Sequence, residues 1–496
     1  MASRLLGGSA IILVGNIFGL GAVFLSRLFA ARYLGPDGYG LLVLGFTMHS
    51  ILVLIVLLGF QDGLAREMSR EENPTPLVSS AFVISFSLSA ILGVALFLLR
   101  GHVSDVIGIP AVTPILGVFG ITLPAITLLE FLKAVFRGYE DARGRVLVEN
   151  FIRQGLGLLA IIGGVIIGAD TLTIAYLWGG SILLATVFAI PVATRRIPLG
   201  TRVENWVGSA DTGTAIRLTK YSIPLMASGT IWQLMQYSDN YLLAYFLSNQ
   251  SEVGVYDAAF TFGKLLIIGA TTVQYLLVPM LSGLHAEGKM QEFQKLYQQS
   301  TRWIVLLTLP AYLLLVGFAD IVLVNIYGGG YEGGAIILAV ILTGFMLHIL
   351  LGTNGGALNA VGRTRMIFAS NLVAFFGNVV LNIILIPVYG ILGAAAASAA
   401  AYALVNLAYS LTLYAHGEIH PVSIPELKSG LVSVTLFVLG YQVFSSQIDS
   451  VVQFSLFALV YLIAHLGIAF RLGVTDEEWG ILQRYVRGVQ GKVEGL

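Results

Sequence analysis

Ionisable residues inside long apolar runs are the first candidates for chemistry in this sequence. Each costs roughly 2.5 to 3.5 kcal/mol to place at the centre of a membrane helix, so each needs a partner, water or a task. Four cations meet that description, Arg27, Lys133, Arg153 and Lys264, and four acids, Glu130, Glu149, Asp239 and Asp257. Glu130 with Lys133 is an i,i+3 pair and Glu149 with Arg153 an i,i+4 pair, spacings at which two side chains share a helix face. Mutual neutralisation and the lining of a wet cavity both stand open for them, which makes Lys133, Glu149 and Arg153 secondary site candidates. Arg27 has no acid three or four positions away. Its partner must come from elsewhere in the fold, and its planar, permanently charged guanidinium suits bidentate binding of phosphate.

Uncharged polar residues extend the pattern. Gln233, Gln236, Tyr237 and Asn240 recur at helical spacing beside Asp239, and Asp257, Thr261, Lys264, Thr271 and Tyr275 form a second stripe. Amides and aromatic faces suit sugars, and cavity lining is the expectation for both stripes. Asn371, Asn378 and Asn382 read instead as hydrogen bonds between packed helices. His49, His348 and His465 lie singly, with no carboxylate three or four residues away, so they read as packing residues and no metal site is expected. The absence of cysteine excludes disulfides and thiolate chemistry.

The elements that must carry these residues are membrane helices. Of 496 residues 57% are apolar and 11% charged, against roughly 25% charged in soluble domains. The apolar residues fall in runs of about 18 to 27, long enough to cross a ~30 Å hydrocarbon layer. Spans are expected at about 8–31, 39–61, 78–99, 114–136, 147–168, 171–193, 221–247, 254–281, 302–319, 334–360, 366–387, 392–415, 429–446 and 451–470. The chain thus reads as an all-α polytopic membrane protein with about 14 transmembrane helices. The first run carries Arg27 and is too long for the core of a secretory signal, so it reads as a span. With the N-terminus in the cytoplasm, about 21 of the 27 Lys and Arg face that side and only Arg32 and Arg100 face outward. Both termini are therefore expected to be cytoplasmic. A net charge of zero offers no field to nucleic acid. The outer loops are too short to hold a catalytic domain, and Asp37, Asp105 and Asp320 are scattered among them. Thr475 to Glu478 reads as a capping box opening an interfacial helix that carries Trp479 and Tyr485.

The chain also repeats. Leu34-Gly35-Pro36-Asp37-Gly38-Tyr39-Gly40 after the first span corresponds to Glu252-Val253-Gly254-Val255-Tyr256-Asp257 after the seventh. Leu132-Lys133-Ala134-Val135 corresponds to Leu358-Asn359-Ala360-Val361, and Arg143-Gly144-Arg145 to Arg363-Thr364-Arg365, in the same order and at an offset of about 213 to 226. The expected division is a six-helix bundle at 1–193, a cytoplasmic linker at 194–219, a second six-helix bundle at 220–415, an accessory transmembrane pair at 416–470 and a cytoplasmic interfacial tail at 471–496. Both halves start on the same side, so the repeats are parallel, an arrangement that places a substrate site between halves near the midplane. Aligning the repeats sets Arg27 opposite Asn240, beside Asp239. Arg27 and Asp239 are accordingly expected to face a central cavity, either as substrate contacts or as a bridge locking the bundles.

In these features the sequence resembles the polysaccharide transporter, Wzx-type flippase branch of the multidrug/oligosaccharidyl-lipid/polysaccharide (MATE-like) exporter superfamily, over nearly its whole length. The residues that carry the likeness are Ala31 to Gly40, Val253-Gly254-Val255-Tyr256-Asp257-Ala258-Ala259 and Tyr327-Gly328-Gly329-Gly330-Tyr331. The resemblance implies two six-helix bundles around a central cavity, alternating access, and movement of a polyisoprenyl-diphosphate-linked oligosaccharide from the cytoplasmic to the outer leaflet of the plasma membrane for surface polysaccharide assembly. It implies a transporter rather than an enzyme, with the lipid-linked glycan and the bilayer as partners and glycan-assembly enzymes as further ones. Arg27 is then expected to meet the diphosphate, and replacement of Lys264 to lower transport without lowering abundance. No cofactor is expected; a coupling ion, sodium or proton, or the membrane potential would supply the drive. The rival within the superfamily is a cation-coupled multidrug exporter, which usually carries an acid in the first span where this chain has Arg27. A membrane glycosyltransferase or ligase, the rival from another class, would need catalytic acids on larger outer loops.

Overall fold

A few backbone breaks decide where one helix becomes two. The computed structural model describes residues 2–197, 206, 208–421 and 423–473. In it α1 (Ala2–Leu57) changes direction at Gly35, whose φ of 67° and ψ of 178° are open essentially to glycine alone. Pro36 then opens the second segment, where a helix does not need the missing N–H. The first two expected spans lie in series on either side of that break. The second ends at Leu57 rather than about 61, because Leu58 and Gly59 take positive φ before α2 (Phe60–Met68) restarts the helix.

There follow α3 (Thr75–Ile107), α4 (Thr113–Gly138), α5 (Ala142–Val146), a π-helical stretch (Leu147–Gln154), α6 (Gly155–Ile166) and α7 (Thr171–Arg196). Next come α8 (Thr212–Leu247), α9 (Gln250–Ala286), α10 (Met290–Gly317), α11 (Ala319–Tyr327), α12 (Ala335–Leu350) and α13 (Asn354–Ala360). The chain continues with α14 (Thr364–Tyr389), α15 (Ile391–Gly417), α16 (Ile424–Phe444) and α17 (Val451–Gly473). No strand occurs among the described residues. The fourteen expected spans coincide with helical stretches. The fifth runs through α5, the π stretch and α6, and the tenth is broken between α12 and α13. At that break Gly352 has a φ of 72°, and the Tyr297 hydroxyl donates to the freed Leu351 carbonyl at 2.7 Å, the kind of repair that irregular backbone needs inside a membrane. Eleven described stretches are long and apolar enough to cross a bilayer; the first, Val14–Leu57, holds the two segments around Gly35. The chain is a multi-pass helical membrane protein.

Its contacts divide it into two compact units, with the boundary inside α9. The first holds Met1–Ala258, Ile326–Tyr331 and Phe375–Ala394; the second holds Ala259–Asn325, Glu332–Ala374 and Ala395–Leu496. In the first, Phe131, Leu132 and Phe136 of α4 pack with Phe60, Leu64 and Ile182, and Trp206 closes this core against Phe82 and Phe131. In the second, the accessory pair α16 and α17 packs on α10 and α11 through Phe318, Phe437, Phe454, Phe457 and Tyr461. His465 of that pair meets the Leu306 carbonyl through Nε2 at 2.8 Å.

The repeat is visible in packing. In the first unit a Cβ on Gly45 would lie 2.6 Å from Cδ2 of Phe119 and 2.7 Å from Cγ2 of Ile115; in the second a Cβ on Gly263 would lie 2.6 Å from Cδ2 of Phe345 and 3.0 Å from Cγ2 of Ile341. Phe119 in turn meets Trp178 at 5.2 Å between ring centroids, and Phe345 meets Tyr402 at 4.9 Å. The same aromatic thus sits over the same glycine, backed by a second ring, in each repeat. Linker residues 198–205 and 207 lie outside the described residues, as does the expected interfacial tail from 474 onward.

Candidate functional site

The break at Gly35 places Arg27 and Tyr39 on the two segments of α1, and both converge on one acid. Arg27 Nη1 donates to the two carboxylate oxygens of Asp257 at 2.9 and 2.6 Å, and the Tyr39 hydroxyl donates to Asp257 Oδ2 at 2.6 Å. Of the two expectations for Arg27 and Asp239, the bridge between them is thereby corrected. Asp239 is fully buried and accepts from the Tyr256 hydroxyl at 2.6 Å and from Asn382 Nδ2 at 2.8 Å, with Asn382 also donating to Asn378 Oδ1 at 3.1 Å. Alignment of the repeats locates an equivalent position along a helix. It does not say which of two neighbouring acids faces the cation, and here α9 presents Asp257 while Asp239 turns into the packing with α14.

A second charged group joins α4 to the π stretch. Lys133 Nζ lies 2.7 Å from Glu149 and 3.3 Å from Glu130, and Arg153 pairs with Glu130, to which Gln61 also donates at 3.1 Å. The i,i+3 pair forms as expected. The i,i+4 pair does not, because Glu149 and Arg153 each find their opposite charge on the facing helix, which spacing along one helix cannot report.

Both groups border one cavity in the first unit, of about 310 Å³. Arg27, Lys133, Arg153 and Glu130 line it with Gln61, Gln154, Gln233 and Tyr237. Asp257 binds Arg27, and Glu149 binds Lys133. Three cations thus face the space with three carboxylates on or behind them. An anion entering can form charge-assisted bonds to guanidinium and ammonium groups by displacing carboxylates already held there.

Of the expected site residues, Arg27, Gln233, Tyr237, Lys133 and Arg153 line this cavity. Gln236 lies outside the lining, and Asn240 is buried, donating to Thr47 Oγ1 at 3.1 Å. Thr261 and Lys264 belong to the second unit, where Thr261 is buried and the Lys264 ammonium lies 5.1 Å from the centroid of the Phe260 ring. Thr271 is exposed and bonds the Ile268 carbonyl, and the side chain of Tyr275 lies outside the described residues. Asn371 accepts from Tyr409 at 2.6 Å between α14 and α15. His348 meets Asn406 at 2.7 Å. Gln61, Gln154 and Trp178 went unread in the sequence, and His49, read as packing, also lines the cavity. The one signal for Gln154 was its place next to Arg153.

Residues 29–335 match the family described as polysaccharide biosynthesis protein. The chain belongs to that family. It is 23% identical over 417 residues to a probable low-salt glycan biosynthesis flippase, Agl15, of Haloferax volcanii, covering 82% of this chain and 81% of the relative. It is 20% identical over 402 residues to an uncharacterized membrane protein of Methanocaldococcus jannaschii, covering 79% of this chain and 93% of that one. Among solved structures it is similar to the lipid II flippase MurJ in an inward closed conformation, with a TM-score of 0.73 at 15% identity, over 94% of this chain and 99% of that chain. It is also similar to an inward-facing multidrug resistance MATE family transporter, with a TM-score of 0.67 at 15% identity, over 80% and 94%. At these identities the shared property is the fold, that of the MurJ and MATE transporters.

Proposed function

We propose that the protein is a flippase that carries a polyisoprenyl-diphosphate-linked oligosaccharide from the cytoplasmic to the outer leaflet of the plasma membrane by alternating access, both its termini being cytoplasmic. The observation that carries this reading is the cavity in the first unit, in which Arg27, Lys133 and Arg153 face a space inside an otherwise apolar helical protein. Charged side chains at that depth mark a substrate path by default, and guanidinium groups suit a diphosphate. The relationship to a named glycan flippase supports the same substrate class. We place the coupling ion, sodium or proton, at Asp239, a fully buried acid among Tyr256 and Asn382; the membrane potential would add to the drive on an anionic cargo. Glycan-assembly enzymes are the expected partners.

The test is a deletion strain. Lipid-linked glycan should accumulate facing the cytoplasm and surface glycan should fall; normal surface glycan without accumulation refutes the reading. The second reading, a cation-coupled multidrug exporter, rests on the likeness to MATE transporters. Three lining cations disfavour a cationic drug, and unchanged drug resistance in the deletion strain would dismiss it.

A further inference from the structure

The charges leave one part of the cavity wall unexplained. Trp178 of α7 meets Phe46 edge-on with ring centroids 4.6 Å apart, and His49 packs against Phe119 at 5.2 Å and Trp178 at 5.9 Å. Trp178, His49 and Gln154 all line the cavity. His49 is 3% exposed. Its Nε2 is buried with no hydrogen-bond partner. Buried polar atoms in native proteins are nearly always matched, and an unmatched one on a residue that lines a cavity calls for a group to complete it. A neutral imidazole nitrogen either donates or accepts, according to the tautomer, and a sugar hydroxyl can meet it in either role. An imidazole nitrogen beside a primary amide and an indole is the equipment for a ring that is apolar on one side and hydroxylated at its rim.

We infer that Trp178, His49 and Gln154 form a sugar subsite, the ring lying on the indole while its hydroxyls bond His49 Nε2 and the Gln154 amide. The inference rests on the flippase reading, since the sugar arrives attached to the diphosphate held by Arg27, Lys133 and Arg153. A volume of about 310 Å³ stands at the small end of the ~300–1,000 Å³ typical of ligand sites, so the subsite holds a small part of the cargo.

The full-length protein in nanodiscs is titrated by calorimetry with farnesyl diphosphate and with the same lipid diphosphate bearing one neutral hexose or one N-acetylhexosamine. At least one glycosylated probe should bind wild type more tightly than farnesyl diphosphate. Trp178→Ala should weaken that probe about 3- to 10-fold and leave farnesyl diphosphate unchanged. Trp178→Phe should restore part of the difference, and His49→Gln, which keeps an acceptor, should lose less than His49→Leu. If Trp178→Ala weakens both probes equally, or leaves the sugar preference intact, the subsite is refuted while the flippase reading stands. If wild type binds farnesyl diphosphate but prefers no glycosylated probe, the subsite is likewise refuted. If wild type binds neither class of probe, both readings fall. Should Trp178→Ala not fold, the Phe and His49 variants carry the same decision.

Discussion

Asp257→Ala is the most informative single change, because it separates what Arg27 does for the fold from what it does for cargo. Asp257 binds Arg27 at 2.6 Å, and their side chains are 8% and 24% exposed. At a separation near 3 Å and an effective dielectric of ~20 the attraction is about 5 kcal/mol. Desolvation cancels part of it, and removal of one partner from a buried pair costs about 3 to 5 kcal/mol because the other charge is stranded. Arg27 keeps contact with the cavity, which softens that penalty, so about 3 kcal/mol is expected. The assay is thermal inactivation of purified protein in detergent, followed as the monodisperse fraction, together with a flipping assay in proteoliposomes. Asp257→Ala should lower the midpoint clearly, and Arg27→Ala with Asp257→Ala together should cost less than the sum of the two. The exchanged pair, Arg27→Asp with Asp257→Arg, should regain stability without regaining transport. Wild-type stability in Asp257→Ala, or full transport in the exchanged pair, would refute the reasoning and leave Arg27 as part of the scaffold alone.

Glu130→Ala strands Arg153 and should cost about 3 kcal/mol, whereas Lys133→Ala should be milder because Arg153 still neutralises Glu130; thermal inactivation of the two variants side by side checks the order. Asp239→Asn should leave the protein folded but make glycan flipping insensitive to collapse of the sodium or proton gradient, measured in proteoliposomes with imposed gradients. Gly45→Leu forces a side chain into the Phe119 ring and should lower stability by about 1 to 3 kcal/mol, as should Gly263→Leu under Phe345. Asp211, outside the membrane segments, accepts from the Thr214 amide at 2.7 Å, and that bond holds its carboxyl below the ordinary value of 3.8. A carboxyl lowered on folding stabilises while ionised. The protection of the first turn of α8 that Asp211→Ala removes should therefore be present above about pH 4 and fade as the pH falls from 3.8 through the lowered value of the folded state, read by amide exchange at residues 213–215.

The helices were legible because hydropathy is local: an apolar run reports its own length whatever it packs against. Gly35-Pro36 announced the first break. The break at Gly352 was less visible, since Leu351 and Gly352 continue the apolar run and the Leu351 carbonyl freed there is met by Tyr297, distant in sequence. The site was legible as a set of residues and opaque as a set of partners. Arg27 stood out because nothing on its own helix could neutralise it. Asp257, the acid it meets, also accepts from Tyr39, which lies beyond the turn at Gly35. Glu149 and Arg153 were paired on paper by spacing and separated in space by the helix they face. Lys264, grouped with the other charges by hydropathy and with Asp257 by helical spacing, lies against Phe260 in the second unit. His49 reads as packing and Trp178 goes unnoticed because a lone histidine or tryptophan in an apolar run looks the same whether it packs or binds.

The second segment of α1 and the start of α9 cross within the first unit at two glycines. A Cβ on Gly40 would lie 3.1 Å from the Gly254 nitrogen and collide with the Gln250 carbonyl; a Cβ on Gly254 would lie 3.1 Å from the Gly40 nitrogen and collide with the Pro36 carbonyl. The contact is reciprocal between corresponding positions of the two repeats. In an ancestor made of two identical halves, this crossing would have been an isologous interface on a two-fold axis, with one codon supplying both glycines. Any substitution there would have struck the seam twice. In the single chain each glycine has its own codon, so a substitution strikes the seam once and leaves the reciprocal glycine in place.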